Sequence, residues 1–226
     1  MLKKMDQLQK AILRTLAYAD VFDYPLTFEE LHRFLIGSKV SPKRLKIFVN
    51  RQSLIIGHRD GFYFLPGREK IVSLRQKREQ WSQEKMKIAG RAAGWLKLIP
   101  WIKMVAVTGA LAMNNSGQDD DVDFLIVVAR GRLWLTRFLT VLLIELVTRR
   151  RRPGDREIKN KICLNMFLDE AHLKIPKKEQ NLFTAHEVCQ LKPIWQRDGV
   201  YQQFVKENQW LKRFLPNWKP WLGGCK

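Results

Sequence analysis

Five consecutive β-forming apolar residues, Phe124-Leu125-Ile126-Val127-Val128, follow directly on the acidic run Asp119-Asp120-Asp121-Val122-Asp123. The apolar run reads as a buried strand, and side chains two apart on a strand share one side. Asp121 and Asp123 therefore stand together at the strand's start, with Asp119 behind them if the strand extends that far. A second β-type run, Val105-Ala106-Val107-Thr108, lies upstream and ends at Gly109-Ala110. A helical turn over 111–115 and a polar loop through Gln118 join the two.

Crowded carboxylates repel one another unless a cation neutralises them. Oxygen ligands of this kind suit Mg²⁺ or Mn²⁺, ions that commonly also hold substrate phosphates. Gly109, lacking a Cβ, lets the backbone come close to a phosphate. Glycine turn, short helix and Asp-x-Asp strand together describe a metal-dependent site for a nucleoside triphosphate.

With Thr108-Gly109-Ala110 ahead of Asp121-Val122-Asp123, and Gly109 twelve residues before Asp121, the segment resembles the nucleotidyltransferase superfamily that includes DNA polymerase beta and the kanamycin nucleotidyltransferases. The resemblance covers about residues 100–195. It implies that Asp121 and Asp123 hold metal ions and that the turn at Thr108, Gly109 and Ala110 seats the triphosphate. Two-metal logic then follows: one ion activates the acceptor oxygen and the other stabilises the leaving pyrophosphate. Two positions depart from the pattern. The usual hydroxyl after the glycine is replaced by Ala110, with Thr108, Asn115 or Ser116 as substitutes. The third carboxylate belongs on a later strand, expected over 161–168, where Asn165 is the positional candidate for a catalytic role and Asp169 lies four residues further on. Cys163 on the same strand reads as a small core residue. His186, on a helix expected over 183–191, reads as a packing or capping residue.

The N-terminal third has a different pattern. Leu8, Ile12, Leu13, Leu16 and Ala17 recur at helical spacing over 6–19. Thr27 and Glu30 form a capping box ahead of Leu31, Phe34 and Leu35, and Gly37 ends that helix. Ser41-Pro42 opens a third helix whose buried residues are Leu45, Phe48 and Val49. Two β-type runs, 54–56 and 62–65, are joined through Arg59-Asp60-Gly61, a hairpin signal. Three helices and a hairpin over about residues 5–70 resemble the winged helix-turn-helix domain, whose third helix enters the DNA major groove. The resemblance implies nucleic-acid contact by Lys43, Arg44, Lys46 and Arg51 on that helix and by Arg59 at the wing tip, beside His58. Protein contact through the same face is the other use of such domains.

With 41 Lys and Arg against 22 Asp and Glu, the net charge of +19 predicts attraction to polyanions. Residues 68–103 read as helical and strongly basic, with Ile71, Leu74, Trp81, Ile88 and Ala92 as a stripe that packs the linker helix. The apolar run Leu133–Val147 is short for a membrane span and carries Arg137 and Glu145 inside, so it reads first as a buried or groove-lying helix and second as a segment in contact with a lipid interface. Arg149, Arg150, Arg151 and Arg152 follow it. Three cysteines suit neither a disulfide framework nor a zinc cluster, and residues 1–10 carry no secretory pattern, so a cytoplasmic location is expected. From Tyr201 onward Phe204, Trp210, Leu211, Phe214, Trp218 and Trp221 form an aromatic stripe that reads first as helix packing and second as base stacking.

The expected fold is α+β: a winged helix over 1–72, a basic helical linker over 73–98, a small mixed-sheet nucleotidyltransferase-like domain over 99–195 with flanking helices, and a C-terminal helical tail over 196–226. The expected function is Mg²⁺-dependent (or Mn²⁺-dependent) transfer of a nucleoside monophosphate from an NTP to an acceptor, with DNA or RNA as a further partner. The alternative is a binding module with weakened turnover, favoured by Ala110 and the missing third acid.

Overall fold

A computed structural model describes residues 6–51 and 55–220. In chain order its elements begin with α1 (Gln7–Asp20), β1 (Leu26–Thr27), α2 (Phe28–Arg33), α3 (Pro42–Asn50), β2 (Gly57–Arg59), β3 (Phe62–Phe64) and α4 (Lys70–Leu96). There follow β4 (Ile102–Val107), α5 (Gly109–Ala112), β5 (Val122–Val128), α6 (Leu133–Val147), β6 (Ile162–Asp169), α7 (Leu182–Gln190), β7 (Lys192–Gln196) and α8 (Val200–Glu207). The fold is α+β with two small sheets, and the chain separates into two units. The first contains the residues up to 77 together with 181–189 and 210–219; the second contains 78–180 and 190–209.

In the first unit the local signals decide the helix starts. Glu30 N–H donates to Thr27 Oγ1 (3.2 Å), and Thr27 N–H donates to Glu30 Oε2 (2.9 Å), completing the capping box. Ser41 caps α3 by accepting from Arg44 N–H, with Pro42 in the first turn. Asp60 and Gly61 both have positive φ, 51° and 81°, the turn that a two-residue hairpin requires. That turn corrects the expected strand at 54–56. Pairing Arg59 with Phe62 forces the first strand to run immediately up to the turn, as Gly57-His58-Arg59. Leu54 lies outside the described residues. Gly57 belongs in this strand because the Phe64 ring occupies the space of a Cβ. The two-residue β1, beside Pro25 and without any pattern of its own, adds a third strand in the order β1-β3-β2.

Helix α7 and the segment 210–219 complete this unit. His186 is buried and stacks on Tyr18 at 4.1 Å between ring centroids, and burial pushes its imidazole down from 6.5 to about 4. Trp218 Nε1–H donates to Cys189 O at 3.0 Å. Trp218 is buried here, as Tyr201 and Phe204 are in the second unit. Trp210 and Phe214 are half-buried, and Trp221 lies outside the described residues.

The second unit is built on a four-stranded sheet in the order β6-β5-β4-β7. Strand β5 pairs antiparallel with β4 and parallel with β6, so the sheet is mixed. Val122, Phe124, Ile126 and Val128 turn one face of β5 into a core shared with Ala89, Ala92, Ala93 and Leu96 of α4 and Ile144 of α6. The alanines bring α4 close to the sheet. Strand β7 has no alternating pattern, and Pro193 argues against a central strand; it sits at the sheet edge and bulges at Ile194, opposite Val105 and Ala106 of β4.

Helix α6 spans the expected residues but is not buried all round. Thr136, Thr140 and Ile144 face inward, while Trp134, Phe138, Leu142 and Leu146 are exposed. A helix apolar on every side has more apolar surface than one sheet face can cover. Among the described residues, no helix is long and apolar enough to cross a membrane.

Candidate metal and phosphate site

Strand β5 starts at Val122, so Asp121 immediately precedes it and Asp123 is its second residue. Alternation puts Asp121 and Asp123 on the face opposite Val122 and Phe124. Parallel pairing with β6 sets Cys163 directly beside Asp123. One ligand atom from each of Asp121, Asp123 and Cys163 lies within 4.8 Å of the others.

The electrostatics follow from this crowding. Burial, and next the negative charge of Asp121, push the Asp123 carboxyl above its ordinary value; the Cys163 thiol and the Arg151 guanidinium act in the opposite sense. The Cys163 thiol is pushed up to about 12 by burial and by its hydrogen bond to Asp123, so it stays protonated and donates to that carboxylate. Arg151 Nη1–H donates to Asp121 Oδ2 at 2.8 Å.

The glycine turn closes on the same carboxylates. Thr108 N–H donates to Asp123 O at 3.1 Å. Gly109 follows with φ +60°, and a Cβ there would stand 3.2 Å from Asp123 Oδ2. Both the positive φ and the close carboxylate favour glycine at this position. Ala110 is exposed, and its carbonyl accepts from Met113 N–H and Asn115 N–H. Thr108 Oγ1 is buried with no hydrogen-bond partner among the described residues.

Other expected members lie elsewhere. Ser116 is buried away from the pair, its N–H on Ser82 Oγ (3.1 Å) and its hydroxyl on Gly117 O and Asp120 Oδ2. Asp120 accepts from Gly117 N–H at 2.6 Å and so ties the loop. Asp119 points to solvent and pairs with Lys159 at 3.2 Å, because the strand does not reach back to it. Asn165 is exposed, next to the β-bulge between β5 and β6, and the group at the carboxylates is Cys163 instead. Asp123 pairs with Cys163, two residues before Asn165, and the bulge that follows pairs Leu125 with Met166, so Asn165 has no partner in the register.

Sequence reasoning passed over three residues that converge here. Cys163 reads as core, Arg151 as one of four arginines, and Lys85 as part of a basic linker. Lys85 is buried, and its ammonium donates to Gln118 O (3.1 Å), Asp120 O (2.7 Å) and Asn160 Oδ1 (2.8 Å). A lysine at core spacing on α4, near Ala89 and Ala92, is the one sequence signal for it.

The basic residues of the first unit are arranged as follows. Lys43, Arg44 and Arg51 are exposed on or beside α3. Lys46 lies over the Phe28 ring at 4.8 Å, and Arg59 pairs with Asp60 at 3.5 Å. Compared with known proteins, the chain matches no family model, no curated protein and no solved structure.

Proposed function

We propose that this protein is a Mg²⁺- or Mn²⁺-dependent nucleotidyltransferase with an N-terminal winged helix. One observation carries the reading: the carboxylate pair of buried Asp121 and half-buried Asp123 faces a positive-φ glycine turn where a Cβ would crowd Asp123. Two carboxylate oxygens suit a hard divalent ion that keeps waters and phosphate as its other ligands. Asp121 and Asp123 would hold that ion, which supplies charge neutralisation for the triphosphate and the leaving pyrophosphate.

The acceptor hydroxyl oxygen attacks the α-phosphorus of the NTP, and the bond to the bridging oxygen of pyrophosphate breaks. The hydroxyl proton leaves to solvent. Gly109 leaves the backbone open to phosphate, and the unpartnered hydroxyl of Thr108 replaces the one missing at Ala110. Arg151 holds Asp121 in place and brings a cation to the triphosphate. In the first unit, the order α1-β1-α2-α3-β2-β3 and the exposed Lys43, Arg44 and Arg51 support a winged helix that contacts DNA or RNA. Cys163 and Cys189 are free thiols, which suits a reducing compartment such as the cytoplasm.

A second reading rests on Cys163. A thiol stands where an acid base for the acceptor hydroxyl is wanted, which favours a nucleotide-binding module with little turnover. Incubation with each labelled NTP and Mg²⁺ or Mn²⁺ separates the two. Pyrophosphate release by wild type, lost in Asp121→Asn/Asp123→Asn, supports the transferase. Metal-dependent binding without release supports the module, and equal binding by wild type and the double variant removes the site.

A further inference from the structure

We propose that α6 is a docking ridge for an anionic lipid surface. Trp134, Phe138, Leu142 and Leu146 recur every fourth residue and are 79%, 65%, 49% and 75% exposed, a continuous apolar row about 18 Å long. The orientation of the helix is what makes the row informative. Its inward side carries Thr136 and Thr140, both fully buried with hydroxyls that have no hydrogen-bond partner among the described residues. Ile144, Leu139 and Leu143 give the helix its contact with the core, yet the two threonines take buried places while both aromatics stay outside. The observed rotation instead suits a second apolar environment on the outer side.

Charge identifies that environment. Exposed Arg130 and Arg132 precede the helix, Arg137 stands on it, and exposed Arg149 follows it. Residues 130–159 contain nine Lys and Arg against three Asp and Glu, a net +6. An apolar ridge with Trp and Phe between arginines matches an interface where acyl chains lie beneath phosphates. Nucleic acid offers no counterpart for the ridge. A second copy would set arginine against arginine within molecules that each carry +19. At 15 residues the helix lies along such a surface and does not span it.

The test is co-sedimentation of the full chain with vesicles of phosphatidylcholine mixed with phosphatidylglycerol. Trp134→Ser/Phe138→Ser/Leu146→Ser, all at exposed positions, lowers partitioning about tenfold while circular dichroism stays unchanged. If that triple variant does not fold, Trp134→Ser and Leu146→Ser singly show the same loss in smaller steps. Three outcomes overturn the proposal. Undiminished sedimentation of the variants means that net charge alone binds the vesicles. A wild-type dimer that the variants render monomeric means that a second copy covers the ridge. Failure of the wild type to sediment leaves an acidic protein as the occupant.

Discussion

The Lys85 ammonium donates to oxygens on two loops, Gln118 and Asp120 on one and Asn160 on the other, just before β5 and β6 begin. Asp121 follows the first loop directly, so the position of its carboxylate depends on an amine buried in α4. Burial lowers the Lys85 pKa, and the charges of Asp120, Asp119 and Asp121 work against that shift. Lys85→Met keeps the volume and removes the donors, leaving buried oxygens unsatisfied at a cost of about 3 kcal/mol. Chemical denaturation should show that loss, and titration should show weaker Mg²⁺ binding; unchanged values for both would mean that the loops hold themselves. At this scale the sequence discloses Asp121, Asp123 and Gly109, whose signals are local. Lys85, Arg151 and Cys163 reach them through strand pairing and helix docking, which no spacing along the chain encodes.

At the scale of elements, local chemistry and tertiary pairing divide the outcome. The capping box at Thr27 and Glu30, the Ser41-Pro42 start and the Asp60-Gly61 turn are legible because each is complete within four residues. The strands β1 and β7 are not, because partners elsewhere in the sheets define them. Glu30 shows both kinds of interaction at once. Besides capping α2, its carboxylate accepts from Arg75 (3.0 Å) and from Tyr24 Oη–H (2.6 Å). Burial first, and Glu30 second, push the Tyr24 phenol well above its ordinary value, so it remains a donor. Thr27→Ala removes only the cap and should cost about 1 kcal/mol. Glu30→Gln also takes the carboxylate away from a guanidinium that is 3% exposed, and should cost about 3 kcal/mol or more. Equal losses in urea denaturation would mean that the Arg75 pair adds nothing beyond the cap.

At the scale of the whole molecule, the two units draw on the chain discontinuously. Residues 181–189 and 210–219 contribute to the first unit although the second contains the sequence between and before them. Apolar faces on α7 announce burial without saying in which core, so this exchange is invisible to pattern reading. The net charge is legible in full, but its distribution is not. Of the basic residues assigned to nucleic acid, all exposed, Lys46 lies over Phe28 and Arg59 pairs with Asp60, while Lys43 and Arg44 stand in the first turn of α3 and Arg51 follows its end. A phosphate contact releases about one counterion, so each such lysine or arginine adds about 0.9 to the slope of log affinity against log salt. Lys43→Glu/Arg44→Glu should therefore weaken duplex DNA binding and reduce that slope by about two. The substitutions lie on exposed positions near a helix N-terminus, where carboxylates are well tolerated, so the fold provides a clean background. If the variant keeps the wild-type slope, the +19 charge attracts polyanions through another surface and α3 is free to grip a protein.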